Sequence, residues 1–215
     1  MTNGIKVKKR NGRGTESLQL EKMHKMVEEA CNGLAGVSAS QVEINSGIQF
    51  YDGITTEEIQ EILIKSASDL IDLEHPNYQF VAARLLLFSL RKQLFGRMHE
   101  NPSVKEHVAN CVEKGVYDPE LLDLYSDEEY NKLQSFIDHD RDYIFTYAGL
   151  RQVVDKYLVQ DRSNGAVYES PQFMYLLISA TIFSKYPQAT RLDYVKRYYD
   201  AISKHRINIP TPIMA

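Results

Sequence analysis

Ile5-Lys6-Val7-Lys8-Lys9-Arg10-Asn11-Gly12, answered by Leu18-Gln19-Leu20, is the stretch that decides the architecture. Ile5 and Val7 alternate with Lys6 and Lys8, Asn11-Gly12 supplies a favoured hairpin turn, and Leu18 and Leu20 alternate on the return. Gly14 beside Thr15 points to a bulge next to that turn. Helical periodicity begins at once afterwards. Glu21 to Leu34 carries Met23, Met26, Val27 and Ala30 on one face, with Gly36 just past the end. A shorter helix is expected from Ser38.

Further along, Thr55-Thr56-Glu57-Glu58 is a capping box that opens a helix with the stripe Ile59, Ile62, Leu63, Ala67, Leu70 and Ile71. Pro76 interrupts the chain, and Tyr78 to Phe95 forms the next helix, stopped at Gly96. It is apolar around much of its circumference (Val81, Ala82, Leu85, Leu86, Leu87), which makes it the central helix. The polar, proline-containing run Arg97–Pro102 is the expected boundary between a domain of residues 1–96 and one of residues 97–215. Helices are predicted over about 103–114, 118–124, 126–137, 146–157, 171–185 and 190–204. Ser126 with Glu129 and Thr190 with Asp193 read as box-type starts, and Ser170-Pro171 as a cap followed by proline at the first helical position. A second hairpin is expected from Leu158 to Glu169 around Asn164-Gly165. The fold class is therefore mainly α with some β (α+β): a hairpin with helices, then a mostly helical domain with a short hairpin.

The 215 residues are 43% apolar and 25% charged, with a formal net charge of -4. That balance argues against a general nucleic-acid binder. The longest nearly apolar stretch, Phe173 to Phe183, is far shorter than the roughly 20 residues a bilayer requires. Met1 to Arg10 lacks the apolar core of a secretion signal, so no membrane and a cytoplasmic location are expected. Cys31 and Cys111 belong to no CxxC pair and read as structural thiols.

Lys8, Lys9 and Arg10 lie beside a glycine turn, Lys22 on a first helical turn, Thr56 at a helix start, and Arg91-Lys92 near the end of the central helix. Such groups can converge on a polyphosphate. Asp138-His139-Asp140-Arg141-Asp142 looks like a metal loop but lacks the glycine and glutamate an EF-hand needs, so capping and ion pairing are expected there instead. The six histidines show no zinc-site spacing, and no metal site is assigned. Tyr175, Tyr186, Tyr194, Tyr198 and Tyr199 read as core and rim. Lys196-Arg197 and Lys204-His205-Arg206 form a basic flank.

Val7-Lys8-Lys9-Arg10-Asn11-Gly12, Glu21-Lys22-Met23-His24, Gln49 to Thr56 and Ala82 to Lys92 together resemble an ATP-cone. Residues 191–215, ending in Asn208-Ile209-Pro210-Thr211-Pro212-Ile213-Met214-Ala215, resemble the class I ribonucleotide reductase large subunit just before its ten-stranded α/β barrel. The resemblance implies a domain that senses ATP and dATP as allosteric effectors. It places effector contacts at Lys9, at Glu16, Ser17, Leu18, Gln19, Leu20, Glu21 and Lys22, at Thr56 and at Lys92, with Glu16–Lys22 flanking base and ribose. It also places Thr211 on the substrate diphosphate. Gln19 stands where the family often has asparagine, Gln60 where it has histidine, and Gly12-Arg13-Gly14 makes the turn one residue longer.

The resemblance assigns no catalytic residue to this sequence, because the family's catalytic cysteines lie in the barrel. It implies ribonucleoside-diphosphate reductase activity only with a separate barrel-bearing chain, a split large subunit. The further partners it implies are the small radical subunit, which holds the di-metal radical centre, and a ribonucleoside diphosphate substrate. A free-standing ATP-cone regulator and an inactive remnant are the alternatives. The regulator reading is weakened by the absence of clustered cysteines for a zinc ribbon.

Overall fold

The computed structural model describes residues 4–9 and 14–210; Arg10, the Asn11-Gly12 turn and Thr211 lie outside them. The chain divides into two compact units. One comprises the residues up to Leu90 together with Tyr143–Arg151; the other comprises Arg91–Asp142 and the residues from Gln152 onward.

In the first unit, β1 (Lys6–Lys8) pairs antiparallel with β2 (Thr15–Ser17), setting Val7 opposite Glu16. The strands are shorter than the sequence pattern predicts. Leu20 is the first residue of α1 (Leu20–Cys31) and is 39% exposed. The Gln19 carbonyl already accepts from the Met23 amide at 3.3 Å, so helical bonding claims the segment before a strand can continue. The other edge of β1 receives the chain entering α3 (Thr56–Asp69): Gly53 N donates to Lys6 O at 2.8 Å and Lys8 N to Ile54 O at 2.9 Å. Gly53 makes that entry with φ +86°, a conformation that a Cβ would strain.

α1 stops at Cys31, short of the predicted Leu34, because Asn32-Gly33 turns the chain: Gly33 has φ +73° and Leu34 N returns to Cys31 O at 3.1 Å. Met26, Val27 and Ala30 are its buried face. α2 (Ala39–Gly47) packs on both α1 and α3. The Thr55–Glu58 box forms in both directions, as the sequence predicts, and Ile59, Leu63 and Ala67 are buried behind it. Leu70 and Ile71 fall beyond the end of α3, and Ile71 is 40% exposed instead of extending the stripe.

α4 (Tyr78–Phe95) is the central helix, with Val81, Ala82, Ala83, Leu85, Leu86, Leu87, Phe88 and Leu90 all buried. Its Tyr78 hydroxyl accepts from Ser38 N at 3.0 Å and donates to Gln41 Oε1 at 2.6 Å. Arg84 Nη1 reaches the Ala30 and Asn32 carbonyls at 3.1 and 2.7 Å, satisfying the otherwise open end of α1.

The second unit contains α5 (Val104–Glu113), α6 (Asp127–Phe136), the hairpin of β3 (Gln160–Asp161) and β4 (Ala166–Val167), α8 (Pro171–Phe183) and α9 (Gln188–Ser203); α7 (Tyr147–Lys156) precedes β3. α9 packs on α8 and α6. The Ser126–Glu129 box is present. Two local expectations change. Residues 118–124 form only a 3₁₀ turn, Pro119–Leu122, begun by Asp118 and held by the Tyr130 hydroxyl on Leu121 O at 2.5 Å. Thr190 does not start α9: the helix begins at Gln188 after Pro187, and the Thr190 hydroxyl donates back to the Pro187 carbonyl at 3.3 Å.

A buried polar chain ties this unit together. Arg91 Nη2 meets Asp142 Oδ2 at 3.2 Å with the side chains 3% and 0% exposed. Gln172 donates to Asp142 Oδ1 at 2.8 Å, Tyr199 donates to Gln172 Oε1 at 2.7 Å, and Asp138 N donates to the Tyr199 hydroxyl at 2.9 Å. Asp138 also accepts from Asp140 N and Arg141 Nε, so the acidic run caps and pairs. Cys31 is half-buried and Cys111 buried; burial pushes each thiol up to about 11, which keeps it protonated and unreactive. Among the described residues, no helix is long and apolar enough to cross a membrane.

Candidate functional site: the hairpin and the start of α3

The pairing of β1 with the Gly53–Ile54 segment brings the lysine-bearing strand directly beside the N-terminus of α3. Lys8 bridges to Thr55, the N-cap of that helix. Lys9, one residue on, forms an ion pair with Glu16 across the hairpin at 2.8 Å, so two of the expected effector contacts already touch. Both side chains are partly exposed, and the pair is worth little to stability in water. Lys22, in the first turn of α1, is exposed and carries no ion pair among the described residues.

At the helix start, Thr55 Oγ1 accepts from Glu58 N at 3.1 Å, and Glu58 Oε2 accepts from Thr55 N at 2.8 Å. The Tyr51 hydroxyl donates to Glu58 Oε1 at 2.7 Å. The Thr55 amide first, then the Tyr51 hydroxyl, holds the Glu58 carboxyl below the usual carboxylate range, while Lys8 adds attraction. Thr56 is different. Its hydroxyl is enclosed and has no partner. One turn on, Gln60 is 6% exposed; its Nε2 donates to Met26 Sδ of α1 at 3.2 Å, and its Oε1 is likewise enclosed without a partner. Two orphaned polar atoms, four residues apart on the first two turns of α3, mark a position where a polar ligand would complete the bonding.

Glu16 is half-buried on β2, Leu18 half-buried just after it, and Ser17, Gln19, Leu20 and Glu21 are exposed along the strand-to-helix passage. Leu20 and Glu21, with Met23, His24, Ser40, Glu43, Ile44, Gly47 and Phe50, line an apolar cleft of about 460 Å³ on the α1–α2 side. Lys92 sits half-buried on α4 and belongs to the second unit. Thr211 falls outside the described residues. Gln60, noted in the sequence only as standing where the family has histidine, was not among the expected contacts. The available signal was its spacing, four residues after Thr56 and so on the same helical face.

A hairpin whose free edge is joined to a capped helix, with basic side chains and unpaired polar atoms around the junction, is followed by a mostly helical domain. Residues 5–93 match the ATP cone domain family and residues 143–215 the all-alpha domain family of ribonucleotide reductase. The whole chain is 52% identical to the ribonucleoside-diphosphate reductase 1 alpha subunit of Salmonella typhimurium and 51% identical to that of Escherichia coli, covering 28% of each. It is 43% identical over 203 residues to the alpha subunit of Enterobacteria phage T4, covering 94% of this chain and 26% of that protein. The chain therefore carries the ATP-cone and the all-alpha N-terminal domain of ribonucleotide reductase alpha subunits, and spans about 28% of the length of the Salmonella and E. coli relatives.

Proposed function

We propose that this chain is the effector-binding part of a ribonucleoside-diphosphate reductase and that its first unit binds ATP and dATP. Lys9 and Lys22 hold the phosphates as mobile point charges. The Thr56 hydroxyl and the N-terminal dipole of α3 complete the anion site. Glu16 to Lys22, through Ser17, Leu18, Gln19, Leu20 and Glu21, flank base and ribose. The resemblance adds Lys92 to the phosphate contacts. The observation that carries this reading is the pair of enclosed, unpartnered atoms, Thr56 Oγ1 and Gln60 Oε1, beside the lysine-bearing hairpin.

Catalysis, on the same reading, is the work of a barrel-bearing polypeptide together with a small radical subunit. This chain alone is inactive, and Thr211 helps to seat the substrate diphosphate once the barrel is present. Equilibrium titration of the full chain with ATP and dATP tests the sensor. Saturable binding at millimolar Kd or tighter is expected; no binding in that range removes the site. Mixing with a barrel-bearing chain and small subunit tests the rest: reduction of a ribonucleoside diphosphate only in the presence of this chain is the expected result.

A further inference from the structure

Glu169 is the one fully enclosed carboxylate among the described residues that has no cation beside it. It stands between the end of β4 and Ser170, the N-cap of α8, and is 3% exposed. Its Oε1 accepts from Val159 N at 2.8 Å, at the far end of the same hairpin, and its Oε2 accepts from the Tyr117 hydroxyl in the loop after α5. Tyr117 in turn lies 3.2 Å from His107 Nε2 on α5, and the His107 ring stacks on Phe173 of α8 with centroids 3.9 Å apart. Cys111 Sγ donates to the Tyr168 carbonyl at 3.7 Å and lies 3.9 Å from His107 Nε2. One carboxyl thus joins both ends of the β3–β4 hairpin and the start of α8 to the loop after α5 and, through Tyr117, to His107 on α5.

The groups that face this cluster offer no compensation for a negative charge. From α5 come His107, Cys111 and Lys114, and the Lys114 ammonium is occupied over the Tyr168 ring at 5.8 Å. The loop supplies Tyr117, the hairpin supplies the Val159 amide, and α8 supplies Phe173. Beyond Phe173 lies His139, at 5.1 Å between centroids. Burial pushes His107 and His139 down to about 4, so both rings are neutral across the useful pH range. A charge enclosed without a counter-ion is costly.

We propose that Glu169 is a proton-linked latch: neutral, it holds the β3–β4 hairpin and the start of α8 against α5, and its ionisation releases them. Burial raises its carboxyl to about 7, outweighing the Tyr117 and Val159 hydrogen bonds that favour the charged form. Because the folded value lies above the ordinary 4.5, closure is complete below that pH and is lost progressively as pH rises toward 7, levelling off above it. This holds independently of whether nucleotide binds in the first unit.

Amide exchange at Val159 and Tyr168 in the full chain, corrected for intrinsic rates and followed from pH 5 to 8.5, reads the latch directly. The opening equilibrium should rise by up to about tenfold per pH unit between 5 and 7 and then level off. In Glu169→Gln it should be flat. Tyr117→Phe keeps the carboxyl but removes a hydrogen bond that favours ionisation, so the midpoint should move upward. A flat wild-type profile, or the same slope in Glu169→Gln, overturns the proposal. If Glu169→Gln does not fold, an unshifted or lowered midpoint in Tyr117→Phe overturns it.

Discussion

The Gln60 amide donates to the Met26 sulfur across 3.2 Å while its own oxygen is enclosed without a partner. A residue that spends its donor on a weak acceptor and leaves its better half unused is not there for stability. Replacing such a group by an apolar one of similar shape is close to neutral or stabilising, because the desolvation penalty disappears. Gln60→Leu and Thr56→Val should therefore keep or raise the melting temperature, and each should weaken ATP and dATP binding by about tenfold, the equivalent of one hydrogen bond. Paired thermal melts and nucleotide titrations check both halves. Unchanged affinity in both variants would take these two atoms out of the site.

The capping box can be tested apart from binding. Thr55→Ala removes the oxygen that accepts from Glu58 N and should destabilise the first unit by about 1 kcal/mol. Denaturant unfolding gives the number, with an unchanged m-value expected if the denatured state is unaffected.

Arg91 and Asp142 form the enclosed ion pair of the second unit. Removing Asp142 leaves the enclosed Arg91 guanidinium with the His139 carbonyl but without its counter-ion, so Asp142→Ala should cost about 3–5 kcal/mol. The double variant Arg91→Met with Asp142→Leu should recover a large part of that loss, since neither charge is then left unpaired. A double-mutant cycle by chemical unfolding measures the recovery directly.

His24 bonds Glu43 at 2.7 Å and pairs with Glu28 at 3.1 Å. The Glu43 hydrogen bond, followed by that residue's charge, lifts the imidazole above its ordinary 6.5. With the folded value raised, the stabilisation is full below 6.5 and fades as pH climbs through the folded value. Titration of the ring by NMR should show a midpoint above 6.5 that falls back in Glu43→Gln. A wild-type midpoint at or below 6.5 contradicts the geometry.

Much of the local architecture was legible in advance because its causes are local. Thr55–Glu58 and Ser126–Glu129 each satisfy bonds within three residues, and the apolar circumference of α4 marks it as central wherever it lies. Element ends were less legible. Whether Leu20 continues a strand or opens a helix depends on a carbonyl two residues beyond the strand's end, that of Gln19, being taken by Met23, and alternation alone does not encode that. The lysines proposed to meet the effector were readable as a chemical type but not as a place.

What the order of residues determined by itself is most of the helices and hairpins, the two capping boxes at Thr55 and Ser126, and the chemistry available to the cone, since these rest on backbone preference and side-chain type. Only the folded arrangement decided that Lys8 lies against the α3 cap, that Gln60 faces Met26, and that Glu169 is enclosed beside Tyr117. Those contacts join residues 47, 34 and 52 positions apart. Burial and hydrogen-bond satisfaction at such separations belong to packing, and a linear pattern carries no record of which faces will meet.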